Sequence, residues 1–268
     1  MNGQSIVVVD AFAARAYSGN PAAVCVLETE RDAAWMQAVA SEMNLSETAF
    51  LWREGEGWRL RWFTPAVEVR LCGHATLASA HHLWEAGIVD DDRIPFETLS
   101  GRLVAERADG AIDLDFPARP AAVAAPPPHL LKALGVAADA ALTIAAAEED
   151  WLVEVADEAA LREVAPDFGS LSKVDARGVI VTAAGGEQSD VDFLSRFFAP
   201  VCGVDEDPVT GSAHCTLAPF WAPRLGRARL RAHQASARGG DLEVELRGDR
   251  VGLIGRAVTT LRGQLVAG

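Results

Sequence analysis

The sequence predicts an α/β chain of the α+β type, built as two pseudo-symmetric lobes, each a mixed or antiparallel sheet wrapped around a central helix. Three observations predict it. A short motif is written twice, two helices rich in small residues each run up to a glycine, and alternating segments flank a tight turn after each helix.

The repeat comes first. "RWFTP" at Arg61 to Pro65 returns as "RFFAP" at Arg196 to Pro200, 135 positions later. "GRLVAERADGAIDL" from Gly101 aligns without a gap on "GDLEVELRGDRVGL" from Gly240, so that Leu103 falls on Leu242, Glu106 on Glu245 and Leu114 on Leu253. A repeat near half the chain length implies two similar domains rather than a solenoid. Within each copy an aromatic strand ends at a proline, and a helix begins near Gly73 or Gly211. The first helix, "GHATLASAHHLWEA", stops at Gly87, which suits a left-handed cap. The second, "GSAHCTLAPFWAPRL", stops at Gly226, and Pro219 and Pro223 are expected to bend or shorten it. Helices made of Gly, Ala and Ser allow close approach, so each is expected to be enclosed by its own sheet. "PARPAAVAAPPPHL", Pro117 to Leu130, reads as an extended connector. The boundary is placed there, with lobes over residues 1–120 and 121–268, and a return of the residues after Gly255 to the first lobe left open.

Composition narrows the function. The 268 residues are 50% hydrophobic and carry 24 Lys and Arg against 38 Asp and Glu, a net charge of -14. A surface that acidic repels phosphate backbones and anionic lipid, so neither nucleic acid nor a membrane is an expected partner. The start, "MNGQSIVVVDAF", has no basic segment followed by a long apolar one, and Cys25, Cys72, Cys202 and Cys215 form no CxxC pair. A reducing cytoplasm is the expected location. No HExxH or similar spacing occurs among the six histidines, so a metal site is not expected.

The chemistry is sought where small residues meet a helix start. In "EDPVTGSAHC", Glu206 to Cys215, Gly211 and Ser212 allow a ligand to approach backbone N–H groups, and Asp207 adds a carboxylate. Two equivalent helices facing a cleft would aim two positive helix ends at one anion, offsetting the acidic surface locally. A second carboxylate, Glu47, stands in "NLSETAFL" among mostly uncharged neighbours, a setting that raises a carboxyl pKa toward the range useful for acid–base work. Each residue also has a plainer reading. Glu47 can bond Ser46 or Thr48 at a strand edge, Asp207 before a proline suits an Asx turn, and His74 and Ser212 suit helix caps.

The motifs together carry a resemblance. "VDAF" from Val9, "GNPAAV" from Gly19, "NLSETAF" from Asn44, "FTP" from Phe63, "CGHATLA" from Cys72, "FFAP" from Phe197 and "EDPVTGSAH" from Glu206 occur in the order found in the family of the phenazine-biosynthesis isomerase PhzF, which the chain resembles. That resemblance implies a diaminopimelate epimerase-like fold, no cofactor, a homodimer, and a site between two lobes. It implies that Glu47 carries a proton between carbons of a dihydro-hydroxyanthranilate-like acid. It also implies that His74 and Asp207 assist and that Gly73, Gly211 and Ser212 bind the substrate. Two alternatives stay open: an amino-acid racemase or epimerase using Cys72, and a non-catalytic metabolite-binding protein of the same fold. Against the first, Asp207-Pro208 stands where a second cysteine would be needed.

Overall fold

In the computed structural model, which describes residues 3–187 and 189–266, the chain divides into two compact units. One comprises Met1–Phe116 with Gly252–Gly268, and the other comprises Pro117–Val251. The division lies four residues ahead of the boundary expected from the connector, and the closing segment belongs to the first unit.

The first unit is a mixed sheet around a helix. Its strand Gln4–Ala11 runs antiparallel to both Asn20–Val26 and the late strand Ala257–Leu265. Asn20–Val26 is parallel to Glu47–Glu54, which turns back antiparallel through Gly57–Phe63. Gly57–Phe63 is parallel to Arg93–Thr98, and the antiparallel strands Gly101–Ala108 and Ala111–Pro117 follow. Asp109 and Gly110 both have positive φ, the backbone a tight primed hairpin turn requires. Helix Gly73–Glu85 packs against five of these strands, and Ala75, Leu77, Ala78, Ala80 and Leu83 along it are buried. Its small side chains bring the backbone close to the sheet on several sides at once, which an Ala-rich helix permits and a Leu-rich one would not. A second helix, Ala33–Met43, covers the other face with Met36, Val39 and Ala40.

The second unit repeats the plan. Ala141–Ala146 is antiparallel to Asp150–Val155, which is parallel to Gly178–Ala184. That strand is antiparallel to Phe193–Phe198, itself parallel to Arg229–Gln234, which pairs antiparallel with Gly240–Arg247. The connector is not wholly extended: Ala122–Val123 pairs with Ala145–Ala146, and Leu130–Leu134 is a short helix in the core cluster beneath the sheet.

Helix Gly211–Leu225 passes through both prolines instead of stopping at them. Pro219 has no N–H to give the carbonyl of Cys215, and the Arg119 N–H of the connector donates to that carbonyl at 2.9 Å. The shortening expected from the sequence does not occur, and the carbonyl that Pro219 leaves free is met by a segment about a hundred residues earlier. Gly226, with φ 65°, ends the helix as expected.

One paired device was not expected. Arg61 makes a two-pronged hydrogen bond to Glu68, at 2.7 and 2.8 Å, and Arg196 makes the same bond to Glu206, at 2.7 and 3.0 Å. Each guanidinium also lies over a phenylalanine two residues on, Phe63 or Phe198. Both glutamates stand five residues before the first residue of a central helix, so each clamp pins the loop that leads into a helix N-terminus.

Candidate active site

In the first unit three elements converge. Glu47 opens the strand Glu47–Glu54, beside Ala22, and His74 is the second residue of helix Gly73–Glu85. Glu47 Oε2 lies 3.3 Å from His74 Nε2. On the other side of the ring, Asn20 Nδ2 stands 3.3 Å and Cys72 Sγ 3.5 Å from Nδ1. Gly19 sets up Asn20: it has φ +67°, and a Cβ there would sit 2.2 Å from the Ala11 carbonyl oxygen.

Burial holds the His74 pKa down to about 3, so at neutral pH the imidazole is uncharged and its 3.3 Å approach to the Glu47 carboxylate is not an ion pair. With the Asn20 amide donating to Nδ1, the one ring proton is assigned to Nε2, on the side of the ring nearer Glu47. Glu47 itself is half-buried, with its carboxylate against the ring edge.

Glu47, Cys72 and His74 also offer ligand atoms within 4.8 Å of one another, the spacing of a metal triad. An imidazole binds one ion through one nitrogen. Here Nε2 faces Glu47 and Nδ1 faces Cys72.

The second unit presents the other residues singled out in the sequence. The Asp207 carboxylate accepts from the Thr210 hydroxyl, and its carbonyl accepts from Gln234 Nε2 at 2.8 Å. The Thr210 N–H donates to Gln234 Oε1 at 2.9 Å. This mesh fixes the loop before Gly211, which is buried, and Ser212, which is half-buried. His214 is fully buried, with Nδ1 2.8 Å from the Thr210 carbonyl, and burial lowers its pKa to about 4.

The two central helices begin without a side-chain cap, as does the short helix Leu130–Leu134. Helices starting after Asp32, Asp157 and Asp167 are each capped by that aspartate's side chain. The central helices have Cys72 and Thr210 at the cap positions, neither capping through its side chain, and no acid in the first turn. The carboxylates near these two helix starts come instead from outside the helices, Glu47 beside His74 and Asp207 on the Thr210 hydroxyl. His74 and Ser212 lie inside their helices and are not the caps the plainer reading allowed.

Sequence reasoning missed Asn20, Arg177 and Asp150. Asn20 lies in the "GNPAAV" motif, which could have drawn attention to it. Arg177 and Asp150 belong to none of the motifs quoted above, yet Arg177 bonds both the buried Asp150 and the Ser212 hydroxyl.

Two sheet-wrapped central helices with matched loop clamps define a duplicated epimerase-like fold. Consistent with this, a hydroxyproline epimerase from Agrobacterium vitis shares the fold at TM-score 0.64 and 11% identity, with 99% of this chain and 94% of that one covered. A family model described as phenazine biosynthesis-like protein matches residues 9–263, and the chain belongs to that PhzC–PhzF family. It is 51% identical over 263 residues to an uncharacterized isomerase of Halalkalibacterium halodurans, spanning 97% of this chain and 98% of that one. The crystal structure of a PhzF-family phenazine biosynthesis protein from Enterococcus faecalis superposes at TM-score 0.92 and 41% identity, with 98% of each chain covered.

Proposed function

We propose that this isomerase of the phenazine biosynthesis-like family moves a proton between carbons of a small carboxylic acid, cyclic or amino-bearing, with Glu47 as the carrier and no cofactor. The Glu47 carboxylate takes the proton from one carbon, leaving an enolate-like anion and a neutral acid side chain. The same group then returns the proton to another carbon, so atoms and charge balance over the cycle. His74 orients Glu47 and donates toward developing negative charge. Asp207 supports the return step, and Gly73, Gly211 and Ser212 receive the carboxylate at the two helix starts. A positioned base of this kind contributes about 10²–10⁴-fold, and a preorganised anion site a comparable factor.

The observation that carries the reading is the 3.3 Å contact of Glu47 with a buried imidazole that stays uncharged at neutral pH. An uncharged partner leaves the carboxylate basic, whereas an imidazolium would quench it. The test is Glu47→Gln with dihydro-hydroxyanthranilate in D₂O. Loss of isomerisation and of carbon-bound deuterium by at least a hundredfold, with an unchanged melting temperature, is expected. Full activity in that variant refutes the assignment of the base. Saturable binding by the wild type with no deuterium uptake would instead identify a metabolite-binding protein.

A second reading, racemisation or epimerisation through Cys72, draws on the 3.5 Å contact of that thiol with His74 Nδ1. Counted from the helix starts, the residue equivalent to Cys72 in the second unit is Thr210, so the partner thiol of a two-cysteine mechanism is missing at that position. Cys72→Ala separates the readings: it abolishes turnover by the cysteine route and leaves the glutamate route largely intact.

A further inference from the structure

We propose that Arg177 is a positioning residue that holds the Ser212 side chain as a hydrogen-bond donor toward the substrate carboxylate. The inference rests on the carboxylate reading given above and extends it to a residue that no motif singled out. Arg177 Nη2 donates to Ser212 Oγ at 3.1 Å. A guanidinium has donors only, so the hydroxyl oxygen must accept here, and the serine's own proton is turned away from Arg177. A hydroxyl committed in this way presents a donor at the start of helix Gly211–Leu225, beside backbone N–H groups of the same polarity.

The charges around Arg177 decide between positioning and direct anion binding. The guanidinium makes two hydrogen bonds to Asp150, which is 4% exposed, and lies 3.7 Å from Glu149. Glu149 also pairs with Arg119 at 2.9 Å. Two cations and two anions cancel, so Arg177 brings little net attraction to an incoming acid. It brings geometry: Asp150 holds the planar fork, and the fork fixes one hydroxyl.

The duplication supplies an independent argument. Phe50 faces Arg61 across the first sheet as Val181 faces Arg196 across the second, which aligns Glu47 with Gly178. Arg177 immediately precedes Gly178, and Ser212 matches His74 as the second residue of its helix. At the head of the same strand, against the same helix position, one unit places an acid on an imidazole and the other an arginine on a hydroxyl. The two copies have diverged into a proton-handling end and a donor end.

The test is binding of 3-hydroxyanthranilate, a stable aromatic amino acid of related shape, measured by calorimetry on the full chain. The variants are Ser212→Ala, Arg177→Lys and the double variant. Lysine keeps a charge beside Asp150, so the fold survives, but it has no fork to reach Asp150 and Ser212 together; an unchanged melting temperature checks this. Each single variant is expected to weaken binding about fivefold to tenfold, the worth of one hydrogen bond to a charged group. The double variant should be no weaker than Ser212→Ala alone. In turnover, Arg177→Lys should raise KM with kcat nearly unchanged. Wild-type affinity in Arg177→Lys, or losses that simply add in the double variant, overturns the inference and leaves the carboxylate reading standing. Wild-type affinity in Ser212→Ala, or no saturable binding by the unmodified protein, overturns that reading and the inference with it.

Discussion

At the scale of single residues, the two buried histidines make stability depend on pH. His74 and His214 have folded pKa values of about 3 and about 4, set by burial, against an ordinary value near 6.5. The unfolded chain therefore binds more protons than the folded one between those limits. Stability is full above about pH 6.5 and falls as pH drops toward 4. Urea midpoints at pH 7.5, 6 and 5 measure this, and His214→Gln, whose amide can still donate to the Thr210 carbonyl, should flatten the slope by close to one proton. Equal slopes in the two proteins would show that His214 is protonated in the native state. How these residues could be read in advance varies. Glu47 and His74 stand in small-residue or apolar contexts that mark them locally, and the structure brings them within 3.3 Å. Arg177 carries no such mark, because its partners Asp150 and Ser212 lie 27 and 35 residues away and only the folded sheet unites them.

At the scale of elements, the clamps explain why both helix entries hold their shape without side-chain caps. Arg196 is largely buried, and besides Glu206 it serves the Val164 carbonyl at 2.7 Å. Replacing it by alanine strands a mostly buried carboxylate and a carbonyl, so Arg196→Ala should cost roughly 2–3 kcal/mol in chemical denaturation. Arg196→Lys should recover only part of this, since lysine cannot grip two carboxylate oxygens in a plane. A cost below about 0.5 kcal/mol would reduce the clamp to a surface pair. The start and stop of both central helices were legible because glycine acts locally, through φ and close approach. The passage of the second helix through Pro219 was not legible, because the rescuing N–H belongs to Arg119 in the connector.

At the scale of the whole molecule, the repeat was visible as sequence echoes and recurs as the same strand directions around each helix. What the echoes could not convey is that the first unit is made of two separated stretches. Its strand Gln4–Ala11 is paired on one side with Ala257–Leu265. Ending the chain at Val251 removes that partner while keeping every candidate site residue. The expected outcome is loss of the native fluorescence of Trp35, Trp52, Trp58, Trp62 and Trp84 in the first unit, with Trp151 and Trp221 in the second retaining their burial. Native emission from all seven would show the late strand to be dispensable. Among the described residues no helix is long and apolar enough to cross a membrane.

The late strand also bears on synthesis. A ribosome releases the whole uninterrupted stretch Pro117–Val251 before it delivers Ala257–Leu265, so the half made second is free to fold first. The half that holds Glu47 and His74 waits for Ala257–Leu265. Nascent chains stalled short of that point would carry a second unit with its strands complete and a first unit lacking one, so the isomerase would not be whole until that strand emerged.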